Sequence, residues 1–231
     1  MKLSPEIEAT IRAMFEQRGK NEKQQKVERY RRLNAYVQPR QIVFAGSSLM
    51  EQFPIEEFEL DLDLPLKIYN RGIGGYTTAE LLETMGPCIY DLNPAYLFLN
   101  IGTNDMNGPD YCLKTLIQRY NQVLAGIRSH LPQTQVFLLA YYPVNAEIGM
   151  KNPVMAEVFR HRTNTRIAEA NAAVAKLAQE NGAVFIDANA GLCDADGNLK
   201  AEYTVEGMHM YANGYRAVLQ NLLPTLRSCH G

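Results

Sequence analysis

Four short stretches of the sequence carry the side chains that acyl transfer would need. They are Gly46-Ser47-Ser48-Leu49, Gly72-Ile73-Gly74-Gly75, Gly102-Thr103-Asn104-Asp105 and Glu206-Gly207-Met208-His209. A serine hydroxyl such as that of Ser48 becomes a nucleophile when a base takes its proton. A histidine such as His209 serves as that base when a carboxylate fixes its tautomer. The oxyanion formed at the attacked carbonyl needs preorganised donors, which backbone amides and an asparagine amide supply. Each stretch also has a plain structural reading. Gly-Ser-Ser is a common turn or helix cap, and Asn104-Asp105 suits the turn after a strand. A lone histidine is more often a satisfied surface or core residue than a catalyst. Gly72, Gly74 and Gly75 resemble a phosphate-cradling loop, but Gly75 follows Gly74 directly, so the Gly-x-Gly-x-x-Gly spacing is not met.

Position is what lifts the four stretches above their separate readings. Short apolar, β-rich runs at 42–45, 66–69, 96–99, 136–140 and 183–186 alternate with helical patterns around 78–85, 111–129, 158–181 and 212–226. Such alternation implies parallel βαβ units with both sheet faces covered. The expected fold is a doubly wound, three-layer α/β/α sandwich with a five-stranded parallel sheet. In an open sheet of this kind, ligands bind where loops leave the carboxyl ends of the strands. If the strand order is 2-1-3-4-5, the exits of strands one, two and three are neighbours. Ser48, a backbone amide at Gly72 and the amide of Asn104 then converge on one point, and Glu206 and His209 precede the last helix.

Outside this region, residues 1–40 form a basic arm with ten Lys/Arg against five Glu, a charge of +5, while the rest of the chain carries −7. Apolar positions Ile7, Ile11, Met14, Phe15, Val27, Tyr30, Leu33 and Val37 fall at helical spacing. Gly19-Lys20-Asn21 reads as a break. The expectation is a two-helix extension packed on a main domain of residues 41–231. The segment 145–157 is long for a connection between strand and helix, so it reads either as a loop over the site or as a surface excursion.

Composition closes off several function classes. The chain has 231 residues, 46% hydrophobic and 21% charged, with a formal net charge of −2, so no overall field points to nucleic acid. No stretch approaches the roughly 20 apolar residues that span a bilayer. The opening Met1-Lys2-Leu3-Ser4-Pro5-Glu6 places an acid and a proline where a secretory leader needs an apolar run. Cys88, Cys112, Cys193 and Cys229 are scattered without Cys-x-x-Cys pairing and read as ordinary thiols. These features together predict a cytoplasmic location. His130, His161 and His230 are expected on solvated surface.

The order Gly-x-Ser-Leu, Gly, Gly-x-Asn-Asp and acid-x-x-His resembles the SGNH (GDSL-type) hydrolases. These are esterases and acyl hydrolases of flavodoxin-like fold that include platelet-activating-factor acetylhydrolase-like members. The resemblance runs from about Ile42 to Leu223. It implies Ser48 as nucleophile and His209 as general base, with an oxyanion hole made by the amides of Ser48 and Gly72 and the side chain of Asn104. It also implies a small-molecule ester substrate with a short acyl group, such as an O-acetyl sugar or a lysophospholipid-like ester. No cofactor or metal, no nucleic acid and no membrane insertion are implied, and a homo-oligomer is left open. Two positions depart from the pattern. The usual Asp before the serine is Ser47, and the usual Asp-x-x-His reads Glu206-x-x-His209. Glutamate is longer by one C–C bond, about 1.5 Å. Either Glu206 orients His209 from a retracted loop, or a Ser–His dyad operates. A non-catalytic flavodoxin-like binding module and an inactive SGNH relative are the rival readings.

Overall fold

The fold was taken from a computed structural model, which describes residues 4–60, 62–153 and 155–230. Five strands, β1 (Ile42–Gly46), β2 (Ile68–Gly72), β3 (Tyr96–Asn100), β4 (Gln135–Leu139) and β5 (Val184–Ile186), form one sheet. Its order is β2-β1-β3-β4-β5 and every pairing is parallel, as the alternating pattern predicts. Among the described residues, ten α-helices surround it. They are α1 (Pro5–Leu33), α2 (Ser48–Glu51), α3 (Ile55–Glu59), α4 (Thr78–Glu83), α5 (Met85–Cys88), α6 (Leu113–His130), α7 (Ala146–Met150), α8 (Ala156–His161), α9 (Asn164–Glu180) and α10 (Ala212–Ser228).

Strand alternation sends successive side chains to opposite faces, and both faces are dry. Val43, Ala45, Leu97 and Leu99 meet α4, α6 and α9 through Leu81, Leu116, Tyr120, Ile127, Ile167 and Val174. Ile42, Phe44 and Phe98 meet α2, α3 and α10 through Leu49, Met50, Ile55, Val218, Leu222 and Leu226. Two covered faces are why the strands read as unbroken apolar runs rather than alternating ones.

Three local expectations are corrected. The amino-terminal segment is one helix, not two. Glycine in a helix interior costs about 1 kcal/mol, and here Arg18–Glu22 at 2.8 Å and Gln17–Asn21 at 2.9 Å bridge Gly19 from either side. Only its second half packs on the domain, through Val27 and Tyr30, while Ile7, Ile11, Met14 and Phe15 are exposed. The pattern at 158–181 is two helices. Arg162 leaves the helical conformation with φ −85° and ψ 91°, and the Thr163 side chain caps α9 by accepting from the Arg166 amide. The third correction concerns β2, which begins at Ile68 and extends through Gly72 rather than ending at 69.

Candidate active site

Ser48 opens α2 immediately after β1, so its side chain stands at the carboxyl edge of the sheet. Between β5 and α10 the chain returns to the same edge. There Thr204 pairs with Met210, and the Thr204 hydroxyl accepts from Gly207 N at 2.8 Å and donates to His209 O at 3.0 Å. Asn145 N donates to Gly207 O at 2.7 Å, so the 145–157 segment buttresses this loop. The result is a continuous chain of hydrogen bonds. Ser48 Oγ lies 2.8 Å from His209 Nε2, and His209 Nδ1 lies 2.6 Å from Glu206 Oε1. An ionised carboxylate only accepts, so Nδ1 carries the proton and Nε2 is left to accept from the serine.

Glu206 Oε1 also accepts from the backbone amide of His209 at 3.2 Å. The side chain folds back within its own turn, which takes up the additional methylene. Burial raises the Glu206 pKa, but hydrogen bonds and charge from His209 more than offset it, leaving the carboxyl below its ordinary value. The side chains of His209 and Glu206 are 22% and 19% exposed, screened from bulk water yet reachable.

Asn104 lies on a short 3-10 turn after β3. Its Nδ2 donates one hydrogen to Tyr76 O at 2.9 Å, and the second has no acceptor among the described residues. Its Oδ1 accepts from Arg162 Nη2 at 2.8 Å and from Asn107 Nδ2 at 3.2 Å. Arg162 is 2% exposed and makes two further bonds to Asn107 Oδ1, at 3.0 and 2.6 Å. Burial pushes the guanidinium down to about 10, and the charge of Glu206 draws it partly back up. It therefore remains a cation at neutral pH. Sequence reading passed over Arg162 because the segment reads as continuous helix, and the break that turns it inward is a Thr163 cap. Asp105, beside Asn104, accepts from Thr78 N and Thr78 Oγ1 at 2.9 and 2.6 Å and so anchors the start of α4.

The Gly72 amide is not placed as the sequence suggests. Ile73 N bonds to Gly46 O at 2.9 Å, so Ile73 N–H faces β1. Alternation then points Gly72 N–H to the outer edge of the sheet, where it donates to Asn70 Oδ1 at 2.9 Å. Gly72 serves close packing instead, since a Cβ there would sit 2.2 Å from Glu51 N. The turn that does approach Ser48 is one residue pair further on. A Cβ on Gly74 would lie 3.9 Å from Ser48 Cβ, and Gly75, at φ +73°, makes no amide hydrogen bond among the described residues. The Ser48 amide is likewise undonated. Ser47 is buried, and its hydroxyl has no partner among the described residues.

Tyr141, Tyr142, Met208 and Met210 are buried in the two cores, whereas Tyr211 is exposed. His130 stacks on Tyr90 with ring centroids 4.3 Å apart, and His161 lies 3.2 Å from Glu157. All four cysteines are free thiols. Among the described residues no group of three or more His, Cys, Asp or Glu is gathered as metal ligands, and no helix is long and apolar enough to cross a membrane.

A hydrogen-bonded Ser–His–Glu chain at the carboxyl edge of a doubly wound parallel sheet defines a class by fold and geometry, the α/β/α sandwiches that carry a serine at a strand exit. The sequence narrows it. Residues 57–217 match the family described as GDSL-like Lipase/Acylhydrolase, and the chain belongs to that family of carboxylic ester hydrolases. The matched segment holds Asn104, Glu206 and His209. Ser48 lies before it and is joined to it by the 2.8 Å bond to His209. A solved protein of Streptococcus pneumonia, provisionally described as a platelet activating factor, is 31% identical with a TM-score of 0.84, covering 94% of this chain and 99% of that one. Platelet-activating factor acetylhydrolase IB subunit alpha1 of Bos taurus is 25% identical over 183 residues, 79% of this chain and 73% of its own. N-acylneuraminate cytidylyltransferase of Escherichia coli is 25% identical over 181 residues, but the chain spans only 38% of that relative's length.

Proposed function

We propose that the protein hydrolyses a carboxylic ester through an acyl-serine intermediate on Ser48. The observation that carries this reading is the unbroken path from Ser48 Oγ through His209 to Glu206, with both links at hydrogen-bond length. Ser48 Oγ bonds to the carbonyl carbon as its proton passes to His209 Nε2, and Glu206 stabilises the imidazolium. The resulting oxyanion is met by the free hydrogen of Asn104 Nδ2 and by the amides of Ser48 and Gly75. The C–O bond to the leaving alcohol then breaks as His209 returns the proton to that oxygen. Water gives its proton to His209 and attacks the acyl carbon, and the C–Oγ bond then breaks as His209 returns the proton to Ser48 Oγ, releasing the acid.

The acyl group is short, with acetyl favoured by the name of the bovine relative, and the alcohol belongs to a sugar, another small metabolite or a lysophospholipid-like molecule. A fluorophosphonate probe tests the nucleophile. The wild type becomes labelled, and Ser48→Ala loses both labelling and nearly all ester hydrolysis, about 10⁴-fold or more. Labelling that survives Ser48→Ala, or a wild type inert to the probe, rejects the reading in favour of a binding module. A series of p-nitrophenyl esters from acetyl to dodecanoyl then reads the acyl preference, with kcat/KM expected to fall as the chain lengthens.

A further inference from the structure

The basic amino-terminal helix has no part in the chemistry described so far, yet three of its side chains reach the turn beside Ser48. Tyr30 Oη donates to Gly72 O at 2.6 Å. Lys23 Nζ donates to Gly75 O at 2.9 Å and to Glu80 Oε1 at 2.6 Å. Lys26 pairs with Glu51, whose other carboxylate oxygen accepts Gly74 N–H at 2.6 Å. Glu51 itself closes the helix that Ser48 opens.

These contacts share a target. The peptide before Gly74 is fixed through its N–H, and the peptide after Gly75 is fixed through its carbonyl. The Gly74–Gly75 peptide between them makes no hydrogen bond of its own among the described residues. Two consecutive residues without a Cβ leave that plane conformationally free. Rotated about its flanking bonds, the plane would turn a carbonyl, rather than the Gly75 N–H, toward the reacting carbon. Preorganisation is what gives an oxyanion donor its value, because a donor that must reorient during reaction loses much of its benefit.

We propose that α1 is a positioning element of the oxyanion hole, in which Lys23 and Lys26 clamp the turn on either side of the Gly74–Gly75 peptide. The inference rests on the assignment of Ser48 as nucleophile and of Gly75 N–H as donor. It explains why Lys23 and Lys26 lie on the packed half of the helix, whereas Met14 and Phe15 of its distal half are each 68% exposed.

Steady-state kinetics of the full chain with p-nitrophenyl acetate test it. Ion pairs this exposed contribute little to global stability, so Lys23→Met/Lys26→Met should melt within a few degrees of wild type. Its kcat should fall about 10–100-fold, with KM changed less than about twofold, because one donor is misplaced only in the transition state. Lys26→Arg, which keeps the pair with Glu51, should stay within about threefold of wild type, and Glu51→Gln should follow the lysine variants. Wild-type kcat in the double variant, with Ser48→Ala inactive, overturns the role of α1. So does a loss of kcat that tracks a fall in melting temperature and is not restored by Lys26→Arg. Activity that survives Ser48→Ala overturns instead the catalytic assignment beneath it.

Discussion

On the proposed acid–base side of the site, Glu206 and His209 share one turn, and Glu206 holds both the ring and the backbone amide of the histidine. On the proposed oxyanion side, Asn104 is held by Arg162, 58 positions away, and the Gly74–Gly75 turn by Lys23 and, through Glu51, by Lys26 of the amino-terminal helix. The first side is built from contacts local in sequence. The second is assembled by two distant elements converging on flexible or rotatable groups. A general base needs one rotamer and one tautomer, which a single carboxylate in the same turn supplies. An oxyanion hole needs donors from separate loops aimed at a point none of them occupies, so its accuracy depends on packing across the molecule.

The contrast can be broken most severely at Glu206. Glu206→Gln should lower kcat about 10⁴-fold at neutral pH, because the amide no longer enforces the reactive tautomer. A loss under tenfold in this assay would mean that a Ser–His dyad suffices and that the local side does not rely on its acid. Asn104→Ala comes next, with an expected fall in kcat of about 10²–10³-fold and little change in KM. A kcat within threefold of wild type would remove Asn104 from the hole.

Arg162→Lys probes the distant support. Lysine keeps the cation but lacks the fork that grips Asn104 and Asn107 together, so kcat should drop about tenfold, equivalent to about 1.4 kcal/mol. Equal losses for Arg162→Lys and Asn104→Ala would show that Arg162 is required to place the donor at all. The smallest effect concerns acid stability. Glu206 sits below its ordinary pKa when folded, so its contribution is present above the unfolded value and is lost as pH falls through the lowered folded value. Thermal melts should show wild type and Glu206→Gln converging as pH drops below about 4. A gap that stays constant from neutral pH to pH 3 would contradict the shift.

Legibility in the sequence follows the same division. Ser48 and Asn104 were legible as candidates because a strand exit limits where chemistry can sit and each follows one, and Glu206 and His209 because they precede the last helix on a loop that returns to the same edge. The five strands and their order were readable because a parallel sheet with two dry faces demands unbroken apolar runs. Arg162 was not, since a single Thr163 cap decides whether the residue before it lies on a helix face or turns inward. The assignment of a donor amide to Gly72 failed for a comparable reason. Successive amides of an edge strand point in opposite directions, and where β2 ends fixes which of them faces β1.

The sequence by itself therefore determined the layered fold, the edge at which the reactive side chains gather, and the residue types available for acyl transfer. Periodicity and residue chemistry are carried by every short window of the chain. Tertiary structure alone decided which glycine amide makes no hydrogen bond among the described residues, that the amino-terminal helix runs unbroken past Gly19, and that a buried arginine backs Asn104. Those outcomes depend on strand phase, on one cap and on pairing between residues tens of positions apart, and no local pattern encodes them.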